Sequence, residues 1–128
     1  GRRLRDGRDV ALVTVGTVGN AAARAAERAA AQGVEAAHYD LRWVKPLDTE
    51  LLDEVGRTFR RVITVEDGCL RGGVGEAVAA YFNARGYDAH VTCLGIGDAW
   101  VEHGTPEQLH ALCGYDEESI LRALTQPA

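Results

Sequence analysis

Methionine is absent from this 128-residue sequence. The chain opens directly on Gly1-Arg2-Arg3-Leu4-Arg5-Asp6-Gly7, as a segment cut from a longer polypeptide would. A self-sufficient set of catalytic residues is also missing, so the function is expected to be that of a parent protein. No apolar run approaches the ~20 residues of a membrane helix, and a membrane is not an expected partner. No signal peptide is visible, although a segment would not carry one belonging to its parent. Cysteine is scarce. Cys69, Cys93 and Cys113 are an odd number at wide spacings that fit no metal or disulfide pattern. They are expected to be buried or half-buried thiols in a reducing compartment, the cytoplasm. Excess positive charge is lacking too: 14 Lys and Arg stand against 19 Asp and Glu, a net charge of −5, which argues against a nucleic-acid surface. The one basic cluster, Arg2, Arg3, Arg5 and Arg8, reads as a solvated end rather than an anion site. Internal repeats and low-complexity linkers are absent.

What is present is a globular composition, 46% hydrophobic and 26% charged, in a chain long enough for one real core. Residues 1–128 are expected to form one domain. Strand and helix patterns alternate along it. Val10 to Val15 is a β-branched run ended by Gly16, and Asn20 to Gln32 is an alanine-rich helix stopped by Gly33. Val34 to Leu41 is a second strand. Pro46 and Asp48 open a short helix with Leu51, Leu52 and Val55 on one face. Arg61 to Glu66 is a third strand, and Gly72 to Gly75 leads into a helix that Gly86 ends. Ala89 to Leu94 is a fourth strand. Thr105-Pro106-Glu107-Gln108 carries an N-cap, a first-position proline and a capping box. Leu109 and Leu112 are expected to face inward, Gly114 to stop this helix, and Asp116 to Leu124 to form a last one. A short strand at Arg2 to Arg5, turned at Asp6-Gly7, would add an antiparallel edge. The pattern predicts a three-layer α/β/α fold around a mostly parallel sheet.

Four features could carry chemistry. The loops Gly16-Thr17-Val18-Gly19-Asn20 and Gly72-Gly73-Val74-Gly75 each follow a strand and open a helix, where free N–H groups can hold phosphate. Neither is G-x-G-x-x-G or ends in G-K-[ST], and tight turns need glycine without any ligand, so the structural reading is preferred. Glu66-Asp67-Gly68 ends the third strand. Its carboxylates could act as base or metal ligand, or cap the backbone N–H groups of the loop reaching to Gly72, and the loop role is favoured. Asp98, Trp100, Glu102 and His103 share the loop after the fourth strand. They suit an interface better than catalysis. His38 and His90 lie in strands, where a satisfied structural histidine is the default, and Trp43 is expected to pack or to join an interface.

The order of the runs resembles a known family. They are VTVG-x-x-x-N-A at Val13 to Ala21, YDLRWVKPLD at Tyr39 to Asp48, VITVEDG at Val62 to Gly68, GGVGEAV at Gly72 to Val78 and LGIGDAWVEHGTPEQL at Leu94 to Leu109. Together they resemble the C-terminal domain of transketolase-like, thiamine-diphosphate-dependent enzymes. Pro46-Leu47-Asp48 and Glu66 to Gly75 are shared with β subunits of 2-oxoacid dehydrogenases, in which such a domain would dock a carrier subunit. Leu94-Gly95-Ile96, Asp98 and His103-Gly104-Thr105 are more typical of the 1-deoxy-D-xylulose-5-phosphate synthases. Gly97 departs from that pattern, which usually has proline there.

The resemblance implies a five-stranded sheet with one antiparallel strand. It implies a parent that condenses pyruvate with glyceraldehyde 3-phosphate, losing CO₂ and feeding isoprenoid, thiamine and pyridoxal synthesis. Thiamine diphosphate and Mg²⁺ would be held by preceding domains of the same chain, with none bound by this domain. The parent would be a homodimer, and the isolated segment would be inactive. Glu66, Asp67, Gly72, Gly73, Asp98, Trp100, Glu102 and His103 become interface or active-site-rim candidates, with no catalytic, cofactor or metal residue among them. A reading from a different class is a free-standing phosphate or nucleotide binder using the two glycine loops.

Overall fold

The computed structural model describes residues 1–126. Its elements are β1 (Arg2–Arg5), β2 (Val10–Thr14), α1 (Val18–Ala31), β3 (Ala36–Asp40), α2 (Thr49–Thr58), β4 (Arg61–Cys69), α3 (Val74–Arg85), β5 (His90–Ile96), α4 (Pro106–Cys113) and α5 (Glu117–Thr125). The strands form one sheet in the order β1-β3-β2-β4-β5. All pairs are parallel except β1 on β3. This is the expected five-stranded, mostly parallel sheet between helices with one antiparallel edge strand.

Strand alternation sorts the core into two halves. Val10, Leu12, Ile63 and Val65 face α1 and α5. Ala11, Val13 and Val62 face α2 and α3, where Leu52, Val55, Val78 and Phe82 cover them. Ala22, Ala25, Ala26 and Ala29 on α1 are fully buried, and their small side chains bring that helix close to the sheet. The caps form as the residue types predict. The Asp48 side chain accepts from Leu51 N at 3.0 Å, Asp116 accepts from Ser119 N at 2.9 Å, and Thr105 with Gln108 closes a capping box. Gly86 and Gly114 end α3 and α4 in the left-handed region.

Four local expectations are corrected. The turn at Asp6-Gly7 does not join β1 to β2 as a hairpin, because β2 is the central strand and both its edges are taken by β3 and β4. The chain instead crosses the start of β3, where Arg8 N and Asp9 N both donate to Glu35 O. Gly7 is needed there because a Cβ would overlap the Ala36–Ala37 backbone.

Leu112 does not face inward and is 74% exposed. Helix α4 turns Leu109, His110 and Cys113 toward the body of the protein, and Leu112 lies roughly 100° round the helix from the centre of that stripe. Cys69 is exposed, while Cys93 and Cys113 are half-buried, and all three are unpaired. Trp43 is 67% exposed, so of its two expected roles core packing falls and the interface role stays open. His90 lies on the edge strand β5 and is exposed. His38 fits the structural reading, being buried and hydrogen-bonded to Thr14 Oγ1 at 2.9 Å. Burial holds its imidazole below the ordinary value, against the opposing pull of Asp40.

Candidate functional site

After β2 the chain moves to one side of that strand to form β3, then crosses to the other side for β4 and β5. The loops leaving β2 and β4 therefore diverge, and in an open α/β sheet ligands bind at such a point. Both glycine loops lie here, at the carboxyl edge. Gly16 and Gly72 have φ of 81° and 73°, the left-handed turn that lets each strand reverse into its helix.

The start of α3 is already occupied by a carboxylate. Glu66 is buried at the end of the regular part of β4. Its Oε1 accepts from Val74 N at 3.0 Å and its Oε2 from Gly75 N at 2.8 Å. The side chain sits where a bound anion would sit and neutralises the positive end of the helix. Of the two roles that the sequence leaves open for Glu66, the geometry is that of a cap, placed on the first turn of α3 rather than on the loop before it. A neighbouring carboxylate takes the next donor, since Gly72 N donates to Glu76 Oε1 at 3.0 Å.

The glycines themselves answer to packing. A Cβ on Gly73 would overlap the Glu66 carboxylate and the Cys69 carbonyl. One on Gly75 would lie 2.5 Å from Thr64 Oγ1 and 2.7 Å from Cys93 Sγ. The run Gly72-Gly73-Val74-Gly75 thus lets α3 settle onto β4 and β5.

Asp67 belongs to a different junction. It accepts a hydrogen bond from the Tyr115 hydroxyl at 2.8 Å, and His110 Nε2 lies 3.5 Å away. The His110 and Tyr115 rings lie against each other at a tilt of 37°, with centroids 4.7 Å apart. Burial, then the hydrogen bond to Asp67, pushes the Tyr115 hydroxyl far above its ordinary 10. These contacts tie the end of β4 to α4 and α5. Neither Tyr115 nor His110 stands out in the sequence, since Tyr115 lies 48 residues from Asp67.

Asp98 pairs with Arg71 at 2.8 Å, both exposed, joining the loops after β4 and β5. Such a pair contributes little in water. Trp100 is fully exposed, and Glu102 and His103 are exposed beside it. The structure therefore places Glu66 with Gly73 and Gly75, and Asp98 with Arg71, but does not gather Asp98, Glu102 and His103 into a catalytic cluster. Among the described residues, no three of His, Cys, Asp and Glu are grouped so as to hold a metal.

The residues present do not fit a diphosphate with its metal. The α3 amides are bonded to Glu66, whose charge repels an anion. At α1, the loop Gly16–Asn20 contains no Lys or Arg to support one.

A five-stranded α/β/α sandwich with one antiparallel edge strand, its α3 amides taken by its own Glu66, defines a domain of the transketolase C-terminal type. The chain belongs to the family described as "Transketolase, C-terminal domain", whose model matches residues 1–120. It is 49% identical over 127 residues to the 1-deoxy-D-xylulose-5-phosphate synthase of Bacteroides fragilis, covering 98% of this chain and 20% of that protein. It is 49% identical over 125 residues to the synthase of Bacteroides thetaiotaomicron, covering 97% of this chain and 19% of that protein. Among solved structures it is similar to a split-gene transketolase described as an inactive β4 tetramer. There the identity is 32% and the TM-score 0.88, with 96% of this chain and 40% of that one covered. The chain spans about one fifth of the length of the curated relatives it matches.

Proposed function

We propose that this chain is the C-terminal domain of a 1-deoxy-D-xylulose-5-phosphate synthase and serves its parent as a supporting domain. The observation that carries the reading is near-half identity to such synthases over almost the whole chain. The run from Leu94 to Thr105 supports it. The parent condenses pyruvate with glyceraldehyde 3-phosphate and releases CO₂, giving a deoxy-ketose phosphate used for isoprenoid, thiamine and pyridoxal synthesis. Thiamine diphosphate, bound with Mg²⁺ by the preceding domains, supplies the carbanion chemistry, and the protein supplies position and electrostatics.

In this reading the chain contributes no reacting group. Glu66 and the glycines hold the carboxyl edge rigid. Asp67, Asp98, Trp100, Glu102 and His103, with Gly72 and Gly73, form a contact surface or rim for the rest of the enzyme. The parent works as a homodimer, and the self-assembly named for the split-gene neighbour supports such association. Three unpaired thiols suit a reducing compartment, the cytoplasm. The domain alone is inactive.

The test is made on the full-length parent with pyruvate, glyceraldehyde 3-phosphate, thiamine diphosphate and Mg²⁺, the product being identified by mass. A deoxy-ketose phosphate is expected. A folded, cofactor-loaded parent that yields none overturns the reading.

A further inference from the structure

All but one of the large exposed apolar side chains, Leu4 on β1, group together. Among the described residues, the large ones are Leu4, Trp43, Val44, Trp100, Val101 and Leu112. Trp43 and Val44 follow β3, while Trp100 and Val101 follow β5 and lead into α4, which carries Leu112. Both loops leave the carboxyl edge of the sheet. The ends of β3 and β5 are three strand spacings apart, roughly 14 Å. Both tryptophans of the chain are therefore turned out along one edge.

The opposite edge is different. Its loops, at 6–9, 32–35, 59–60 and 86–89, contain none of these exposed hydrophobics and present Asp6, Arg8, Asp9, Arg60 and Asp88 to water. Two exposed Trp on one edge and none on the other is the signature of a covered surface rather than of chance exposure. The loop geometry points the same way. Arg42 has φ 62°, a left-handed conformation that is unfavourable for a residue with a Cβ. It sits immediately before Trp43, in the turn that carries that side chain out of the domain.

The direction of β1 identifies what covers the edge. Because β1 is antiparallel, it begins where β3 ends: Arg2 pairs with Asp40, and the Gly1 nitrogen lies 2.9 Å from Asp48 Oδ2. The family is a C-terminal domain, and this chain spans about a fifth of its relatives, so the remainder of such a polypeptide precedes β1. It arrives at the carboxyl edge, against Asp40 and Leu41 at the end of β3, two residues before Trp43. We infer that the carboxyl edge, anchored by Trp43 and by Trp100 with Val101 and Leu112 beside it, docks the preceding domain of the same polypeptide. The inference rests on the reading of this chain as part of a longer enzyme and names the partner of its rim. It adds Trp43, Val44, Val101 and Leu112 to that surface.

Hydroxyl-radical oxidation of the full-length protein, read by mass spectrometry, tests the burial. Trp43 and Trp100 are expected to oxidise roughly tenfold more slowly in the native chain than in urea, because a ring in a close-packed interface is shielded as a core ring is. Oxidation of native Trp100 at the unfolded rate overturns the inference. The occupant is then identified with benzoylphenylalanine in place of Trp100 in the full-length chain. After irradiation, the expected product runs at single-chain mass on a denaturing gel and joins position 100 to a peptide of the preceding domain. A product at twice the chain mass assigns the edge to a second copy, and a product with another protein assigns it elsewhere; either overturns the inference. Should the substituted chain fail to fold, the oxidation of the unsubstituted protein is repeated on its monomeric fraction. Protection kept there supports docking by the same chain, and protection lost overturns it. None of these readouts depends on turnover. A parent that makes no deoxy-ketose phosphate but protects Trp100 loses only the functional reading. One that makes product with Trp100 freely oxidised loses only this inference.

Discussion

Replacing Glu66 by alanine is expected to remove about 3 kcal/mol of stability. The carboxylate accepts two backbone hydrogen bonds at 3.0 and 2.8 Å in a position that is only 5% exposed. Hydrogen bonds to a charged group contribute about 1.5–3 kcal/mol each. The two share one carboxylate and are not additive, so the lower part of their sum is the proper expectation. Glu66→Ala also leaves the Val74 and Gly75 N–H groups without a partner beneath a packed helix end. Glu66→Gln keeps one acceptor oxygen and is expected to lose about 2 kcal/mol. Urea unfolding followed by circular dichroism measures both. With a slope of about 2 kcal/mol per molar urea, the alanine variant's midpoint falls by about 1.5 M. A midpoint within about 0.3 M of the parent sequence refutes the argument that Glu66 caps α3. A rise would mean more, because removing a strained functional group commonly stabilises a protein, and Glu66 would then be poised for chemistry.

The remaining predictions concern the same region and the core below it. Gly75→Ala puts a methyl group against Thr64 Oγ1 and Cys93 Sγ and is expected to cost about 1–3 kcal/mol by urea unfolding, whereas Gly97→Ala, with open space around it, stays within about 0.5 kcal/mol. Thr64 Oγ1 is buried without a hydrogen-bond partner among the described residues, so Thr64→Val, of the same shape, is expected to gain up to about 1 kcal/mol in the same measurement. His38 titrates below its ordinary 6.5 because it is buried, so as pH falls below about 6.5 the unfolded chain binds the proton first and stability declines. Above that value the contribution is constant. Unfolding at a series of pH values should show a His38-dependent slope of at most about 1.4 kcal/mol per pH unit, absent in His38→Gln.

What the sequence made legible follows the range of the interactions concerned. Helix caps and stops are local, and Asp48, Thr105, Gln108, Gly86 and Gly114 act as their types predict. The continuous apolar runs in Val10–Thr14 and Arg61–Cys69 mark doubly covered strands, because a strand buried on both faces needs apolar residues on both sides, and their alternation with helices points to a parallel sheet. Strand partnership is less local. Asp6-Gly7 has the composition of a hairpin turn, yet β1 goes to β3, because β2 has no free edge. Leu112 shows the limit of helical periodicity in a helix of eight residues, where two adjacent stripes are equally apolar and only the tertiary contact chooses between them.

The site divides in the same way. The alternative of capping by Glu66 is readable because strand end and helix start are nine residues apart. The tie of Asp67 to Tyr115 and the Arg71–Asp98 pair are not, since they cross 48 and 27 residues. Exposure of Trp43 is also beyond local reading, because an apolar side chain looks alike in sequence whether the core or a neighbouring domain covers it.

The central claim is that this domain supports an enzyme whose cofactor is held elsewhere, its own α3 amides being taken by Glu66. Calorimetric titration of the 128-residue chain with thiamine diphosphate and Mg²⁺ tests it most directly. The account predicts no saturable heat from the domain, alongside saturable binding by the full-length parent under the same conditions. Saturable binding to the domain at micromolar ligand, lost on mutation in Gly16–Asn20 or Gly72–Gly75, would contradict it.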